Sequence, residues 1–185
     1  MAVFDRFTKP HFMLPLALLI TSGASVAYAG DGYGRAAPTA AKGDIINGAG
    51  EKIGTVTLRQ QGGDVVMKIK AKHVSTGLHG AHLHAVGNCT IPDFKDAGGH
   101  WNPSAQHHGQ PGADTAHRGD LPMISANAAG RVNATIRLQG LHLSGDEQPL
   151  LDADGAAVVI HATQDDYRTD PAGNSGARIA CAVIR

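Results

Sequence analysis

GAHLHAVGNC, residues 80–89, sets two histidines one residue apart inside a short apolar stretch and follows them with a cysteine. Successive side chains of an extended strand point to opposite faces, so His82 and His84 share one face while Ala81, Leu83 and Ala85 take the other. The apolar face asks for a core, and the stretch is read as a strand. Two imidazoles side by side invite a metal, although a histidine pair alone also fits an ordinary polar strand face. The rest of the chain has to decide.

Outward from this stretch, short alternating or β-branched runs recur at 53–58, 65–70, 132–138, 157–161 and 179–184, with 81–85 among them. Glycine and proline punctuate the gaps, and no amphipathic helical pattern of ten or more residues appears, so the class is all-β, a sandwich or a barrel. Two gaps, 87–118 and 162–176, are too long for hairpin turns. Long loops without secondary structure in a compact domain are usually functional. The first carries Cys89, His100, His107, His108 and His117; the second carries Asp165, Asp166 and Asp170 and leads into Arg178 and Cys181.

The first residues read as an export signal. Arg6 and Lys9 give a positive start, 12–20 an apolar core interrupted by Pro15, and Ala27-Tyr28-Ala29 a small-x-small cleavage site. The core is shorter than the roughly 20 residues a spanning helix needs. Cleavage after Ala29 leaves residues 30–185, of which 30–43 lack apolar periodicity and read as a loose tail and 44–185 as one domain. Arg6, Lys9 and Asp5 leave with the leader, so 16 basic and 16 acidic residues become 14 and 15. That balance argues against a nucleic-acid or anionic-membrane partner and suits a small diffusing substrate. The only cysteines, Cys89 and Cys181, would enter a compartment where disulfides persist, and they are expected to pair.

Neutral imidazole is the favoured ligand of copper and zinc, and a carboxylate completes a tetrahedral zinc site. His82, His84, His100, His108, His117, His161 and Asp120 exceed the needs of one ion but suffice for two, provided one histidine uses both ring nitrogens. The stretches GLHGAHLHAVGNC (77–89), DAGGHWNP (96–103), HHGQPGADTAHRGDLP (107–122), VVIHATQDD (158–166) and GNSGARIACAVI (173–184) together resemble the Cu/Zn superoxide dismutases, in particular their exported bacterial members. The resemblance runs from about residue 45 to the end.

It implies an eight-stranded Greek-key β-barrel with two long functional loops, and dismutation of superoxide to dioxygen and hydrogen peroxide in the cell envelope. It implies copper on His82, His84, His100 and His161, and zinc on His100, His108, His117 and Asp120, with His100 as the bridge and as the carrier of a proton. The family spacing selects His108 over its neighbour His107. Asp165 matches a carboxylate that hydrogen-bonds one copper and one zinc histidine, here His82 and His108. Arg178 matches the arginine that attracts and orients the superoxide anion, Cys89 and Cys181 match the family disulfide, and His79 matches a histidine that braces nearby backbone. His73 and His142 carry no motif.

The chain departs from the commonest family pattern at Ala81, where a bulky aromatic is frequent, at Trp101, where smaller aromatics are usual, and at Ala172, where many members have a threonine. The alternatives are an exported copper-binding or chaperone-like member of the same fold, and a structural zinc domain. Retention of His161 and Arg178 favours the enzyme. A single sequence leaves open whether the chain is a monomer or a homodimer.

Overall fold

In a computed structural model that describes residues 38–145 and 148–185, the chain forms nine antiparallel strands. They are β1 (Ala40–Asn47), β2 (Lys52–Gln61), β3 (Asp64–Ala71), β4 (Gly77–His79), β5 (Ala81–His84), β6 (Ile124–Ala126), β7 (Val132–Leu138), β8 (Ala156–His161) and β9 (Arg178–Ile184). They hydrogen-bond in the order β4-β6-β7-β3-β2-β1-β9-β8-β5. The two ends of this sheet, β4 and β5, are consecutive in the chain and separated only by Gly80, so the sheet curls round until its ends meet. Counted as one interrupted strand, β4 and β5 give the eight staves expected of the barrel. The segment β4-β6-β7-β3 is a Greek key, because β3 lies beside the last of the three strands that follow it.

Gly80 is the seam. Its N–H donates to Thr163 O at 2.8 Å and its carbonyl accepts His161 N at 2.9 Å, so it continues the β5–β8 pairing while β4 turns away to β6. A Cβ here would come within 2.8 Å of Ser175 Cβ and 3.4 Å of Asp165 Cβ. Only glycine lets the second long loop lie this close to the barrel wall.

The barrel is filled from the inward positions of its strands, including Ile45, Leu58, Met67, Ile69, Leu83 and Ile160, all essentially without solvent exposure. Ala81 joins this core beside Leu83, on the face opposite His82. A second cluster lies outside the barrel, where Phe94 and Ala97 of the first loop cover Ala157 and Val159 of β8. That explains why β8 is buried at every position and reads as a continuous apolar run, with no alternation. Within the same cluster a disulfide joins Cys89 to Cys181 across Cα atoms 5.8 Å apart, as their pairing was expected to do. The first long loop is thereby tied to β9.

One boundary differs from expectation, and three strands, β1, β4 and β6, were not among those expected. β1 starts at Ala40, so residues 40–43 of the stretch read as tail are strand, and the packed chain begins before Asp44. Ala40, Ala41, Lys42 and Gly43 show no apolar alternation because backbone pairing carries them: they match Arg59 to Val56 of β2, and Lys42 exchanges hydrogen bonds with Arg185. The short strands β4 and β6 likewise lacked the length to be read from pattern. The proposed leader, residues 1–29, and residues 30–37 of the tail lie outside the described residues.

The disulfide closes a loop of 92 residues. Replacing both cysteines with serine is expected to cost about 2 to 5 kcal/mol of unfolding free energy, mostly by freeing the unfolded chain. Urea unfolding followed by the fluorescence of Trp101, the one tryptophan in the sequence, measures this; an unchanged midpoint would show that Phe94 and Arg178 hold the loop unaided.

Candidate metal centre

Two wall strands and two loops build the site. His82 and His84 stand on β5 and His161 ends β8, facing out of the barrel under the loops. His100, His108, His117 and Asp120 come from the first loop, which does not hang free. Trp101 N donates to Leu83 O at 2.8 Å, Leu83 N to Gly119 O at 2.8 Å, and Ala85 N to Gly99 O at 3.1 Å. These bonds make isolated bridges that set His100 opposite His84 and Asp120 opposite His82.

Four nitrogens, His82 Nδ1, His84 Nε2, His100 Nε2 and His161 Nε2, are buried without a hydrogen-bond partner. The same four residues bring donor atoms within 4.8 Å of one another. Each ring's other nitrogen faces an acceptor: His82 Nε2 faces Asp165 Oδ2 at 2.6 Å, His84 Nδ1 the Gly98 carbonyl at 3.0 Å, and His161 Nδ1 the Gly176 carbonyl at 3.1 Å. His100 Nδ1 faces Asp120 Oδ1 at 2.8 Å. Those contacts place the proton on the outer nitrogen of His82, His84 and His161 and aim each inner lone pair at a common point. Buried lone pairs gathered without partners are what a cation needs and what a protein core otherwise avoids.

A second set adjoins the first through His100. Asp120 Oδ1 lies 2.8 Å from His100 Nδ1, 3.0 Å from His108 Nδ1 and 3.3 Å from His117 Nδ1. His82 also comes within reach of His100, His108 and Asp120. Its Nε2 is taken by Asp165 and its Nδ1 belongs to the first set, so His117 completes the second. Three imidazoles and one carboxylate are a donor set suited to zinc, and four imidazoles one suited to copper. Asp120 Oδ2 accepts the N–H of Gly109 at 3.0 Å and of His117 at 3.1 Å, which locks the carboxylate in place.

Asp165 straddles both sets. Its Oδ2 receives His82 Nε2, and its Oδ1 receives His108 Nε2 at 2.9 Å and Tyr167 N at 2.7 Å. Gly173 closes over it, where any Cβ would collide with the Asp165 carboxylate and the His108 ring. Arg178 opens β9 directly opposite His161. Its Nη1 donates to Phe94 O and its Nη2 to Gly98 O, both at 2.7 Å, so the guanidinium shares the Gly98 carbonyl with His84.

His107 lies outside both sets, exposed and 2.7 Å from Asp170 Oδ2, while His79 braces the carbonyls of His161 and Ser75 at 2.8 and 2.7 Å. Asp170, which no motif marked for a role, also accepts His108 N at 2.6 Å and so fastens the second loop to the first. The only sequence signal for it was the density of turn-forming side chains in 165–174. Tyr167 went unmarked as well; its hydroxyl accepts Met123 N at 2.7 Å at the entrance to β6.

Burial dominates the electrostatics of the histidines. It pushes His84 down to about 2, His161 to about 3 and His100 to about 4, with neighbouring imidazoles adding to the shift of all three. Burial alone would raise Asp120 and Asp165, but hydrogen bonds from His100 and Gly109 to the first, and from His82 and His108 to the second, hold both carboxyls below the usual range. At neutral pH His84, His100 and His161 are therefore neutral and Asp120 and Asp165 ionised, the forms that bind metal.

Residues 52–184 match the family description "Copper/zinc superoxide dismutase (SODC)". The chain belongs to the copper/zinc superoxide dismutase family. It is 43% identical over 141 residues to a superoxide dismutase [Cu-Zn] of Caulobacter vibrioides, covering 75% of this chain and 81% of that protein. With superoxide dismutase [Cu-Zn] 1 of Aquifex aeolicus it shares 40% identity over 144 residues, 77% of this chain and 85% of that protein. Among solved structures it resembles Cu/Zn superoxide dismutase from Brucella abortus, with a TM-score of 0.65, 30% identity, and 79% and 99% of the two chains covered. A SOD-like protein from Bacillus subtilis gives a TM-score of 0.72 and 34% identity, covering 80% and 98%. Copper and zinc are thus the metals the family implies, and the orphaned nitrogens and the Asp120 set fit both.

The buried histidines also fix how the metal-free protein answers to acid. An unfolded histidine takes a proton near 6.5, whereas folded His84, His100 and His161 resist until about 2, 4 and 3. Between those values the unfolded state binds more protons, so stability falls as pH falls, by about 1.4 kcal/mol per pH unit for each histidine. Thermal unfolding of metal-free protein from pH 7 to 4.5 should show a steep fall in Tm beginning near 6.5; a flat profile would mean that these rings are charged or solvated.

Proposed function

We propose that this chain dismutes superoxide to dioxygen and hydrogen peroxide, with copper held by His82, His84, His100 and His161 and zinc by His100, His108, His117 and Asp120. The observation that carries the reading is the four buried, partnerless imidazole nitrogens, one of them on a ring whose other nitrogen lies among the donors of the second set. When bound, copper supplies the one-electron couple and zinc, which has no redox chemistry, a fixed positive charge.

The chain's own groups supply the rest. Arg178 offers the anion a fixed cation, its guanidinium held by Phe94 O and Gly98 O at the margin of the first set, and this attracts and orients superoxide. His100 Nε2 is the nitrogen best placed to take up a proton and pass it to the departing product, because Asp120 and the second set keep Nδ1 and the ring plane in position. Asp165 fixes the rings of His82 and His108 together and is a positioning residue. Gly173 lets the second loop close over that bridge, where a Cβ would collide with Asp165 and His108.

We read the protein as an exported antioxidant enzyme. The leader-like residues 1–29 and the Cys89–Cys181 disulfide support export. No helix among the described residues is long and apolar enough to cross a membrane.

Metal content and superoxide-dismuting activity, measured on one preparation loaded with both metals beside an Arg178→Ala variant, test the proposal. The expected result is near one copper and one zinc per chain, with activity that drops in the variant while metal content stays. Both metals bound without turnover would make the chain a copper-handling member of the fold. Asp165→Asn is expected to weaken metal retention about 10- to 100-fold while leaving the barrel folded; equilibrium dialysis against a chelator reads this, and unaltered retention would remove Asp165 from the positioning role.

A further inference from the structure

The near-neutral charge of the whole chain conceals a strong segregation. On the outward positions of β1, β2, β3 and β7, strand register places Ala40, Arg59, Val66 and Arg137 in one row, and Lys42, Thr57, Lys68 and Thr135 in the next. The third row is Asp44, Thr55, Lys70 and Asn133, and beyond it Lys72 and Arg131 follow at the ends of β3 and β7. The carboxylates of this face, Asp44 and Asp64, are each taken by an ion pair, with Lys52 at 2.8 Å and Arg137 at 2.6 Å. Lys42, Arg59, Lys68, Lys70, Lys72 and Arg131 are exposed and have no acidic partner among the described residues.

We propose that this face is a docking surface for an anionic phospholipid bilayer. The cations cover a field about 14 Å across the strands and about 20 Å along them, from strand spacing and rise. They stand among threonines and asparagine, short enough to leave the basic ends foremost and able to hydrogen-bond phosphate oxygens. At one end a shallow depression of about 800 Å³ carries Lys52, Lys70, Lys72 and Arg131 around a floor that includes Ile53, Ala71 and Val132, a setting in which the basic ends can meet a headgroup phosphate. No aromatic side chain stands in these rows to stack on a nucleic-acid base, which sets a bilayer ahead of a single strand.

The placement also suits the metal centre. Around the closed barrel, β2 and β3 lie half-way from β5 and β8, so a molecule docked by this face holds its histidine clusters away from the lipid. The proposal does not depend on turnover, and a chain that binds copper without dismuting superoxide would dock in the same way.

Protein purified after export and loaded with copper and zinc is sedimented with vesicles of phosphatidylcholine alone and with vesicles enriched in phosphatidylglycerol. Binding is expected only to the second kind, at low ionic strength, and is expected to be lost at about 0.5 M salt, where screening shortens the reach of charge to a few ångströms. Each basic side chain near an anionic leaflet contributes roughly a factor of five, so Lys68→Glu with Lys70→Glu should weaken partitioning at least about 25-fold. Metal content and dismutation rate should not change in that variant, which also shows that it folds. Absence of sedimentation, equal binding to both vesicles, or a double variant that binds as tightly as the parent would overturn the proposal. So would displacement from the vesicles by duplex DNA at equal phosphate, which would name nucleic acid as the partner.

Discussion

The open edge of β5 is the constraint from which the site follows. On one side β5 pairs with β8, and on the other it has backbone groups that would be left unsatisfied inside the protein. Residues 99–101 and 119 of the first loop fill that edge with hydrogen bonds from Leu83, Ala85 and Trp101. Because an extended chain alternates its side chains, satisfying the edge in this register also delivers His100 beside His84 and Asp120 beside His82. Two of the candidate ligands, His100 and Asp120, are brought in by the same backbone bonds that complete the wall.

Such an arrangement stores a cost. Each buried imidazole nitrogen without a partner is worth about 1 to 3 kcal/mol of lost solvation, and four of them meet in one place. Collapse is prevented by restraints on every side: the disulfide and the Phe94 cluster hold the start of the first loop, and Arg178 ties carbonyls 94 and 98 to β9. Asp170 fastens the second loop to His108, and Asp165 locks one ring from each set. The barrel therefore supplies rigidity to a site that would relax if its loops were loose, which is the general condition for preorganised metal geometry.

How much of this was legible follows from the length scale of each signal. Six strands showed as alternating or β-branched runs, β8 among them as a continuous apolar stretch, whereas β4 and β6 span three residues each and β1 opens on alanine and lysine held by backbone bonds. The donor residues stood out by type and by a family pattern, and the structure gathers each of them. Asp170 and Tyr167 did not, because an aspartate that accepts a backbone N–H across 62 residues looks the same in sequence as one that caps a turn. Asp166, the next residue after Asp165, shows the contrast: it closes its own loop by accepting from Arg168 N, Thr169 N and Asn174 Nδ2.

Net charge is a sum and holds no positions. The balance near zero argued against a nucleic-acid or anionic-membrane partner, and strand register adds where each charge lies. Strand alternation turns Lys68 and Lys70 of β3 to one face, with Lys72 just beyond, and the antiparallel register sets Arg59, Lys42 and Arg131 around them, while acidic residues gather in the loops, at Asp93, Asp96, Asp166 and Asp170. The period of two that hides one face of β5 in the core and turns its histidines outward also collects the cations of β3 on its solvent face. A barrel thus presents two distinct outer surfaces from one rule, and which of them meets a metal and which meets solvent depends only on whether a loop comes back to cover it.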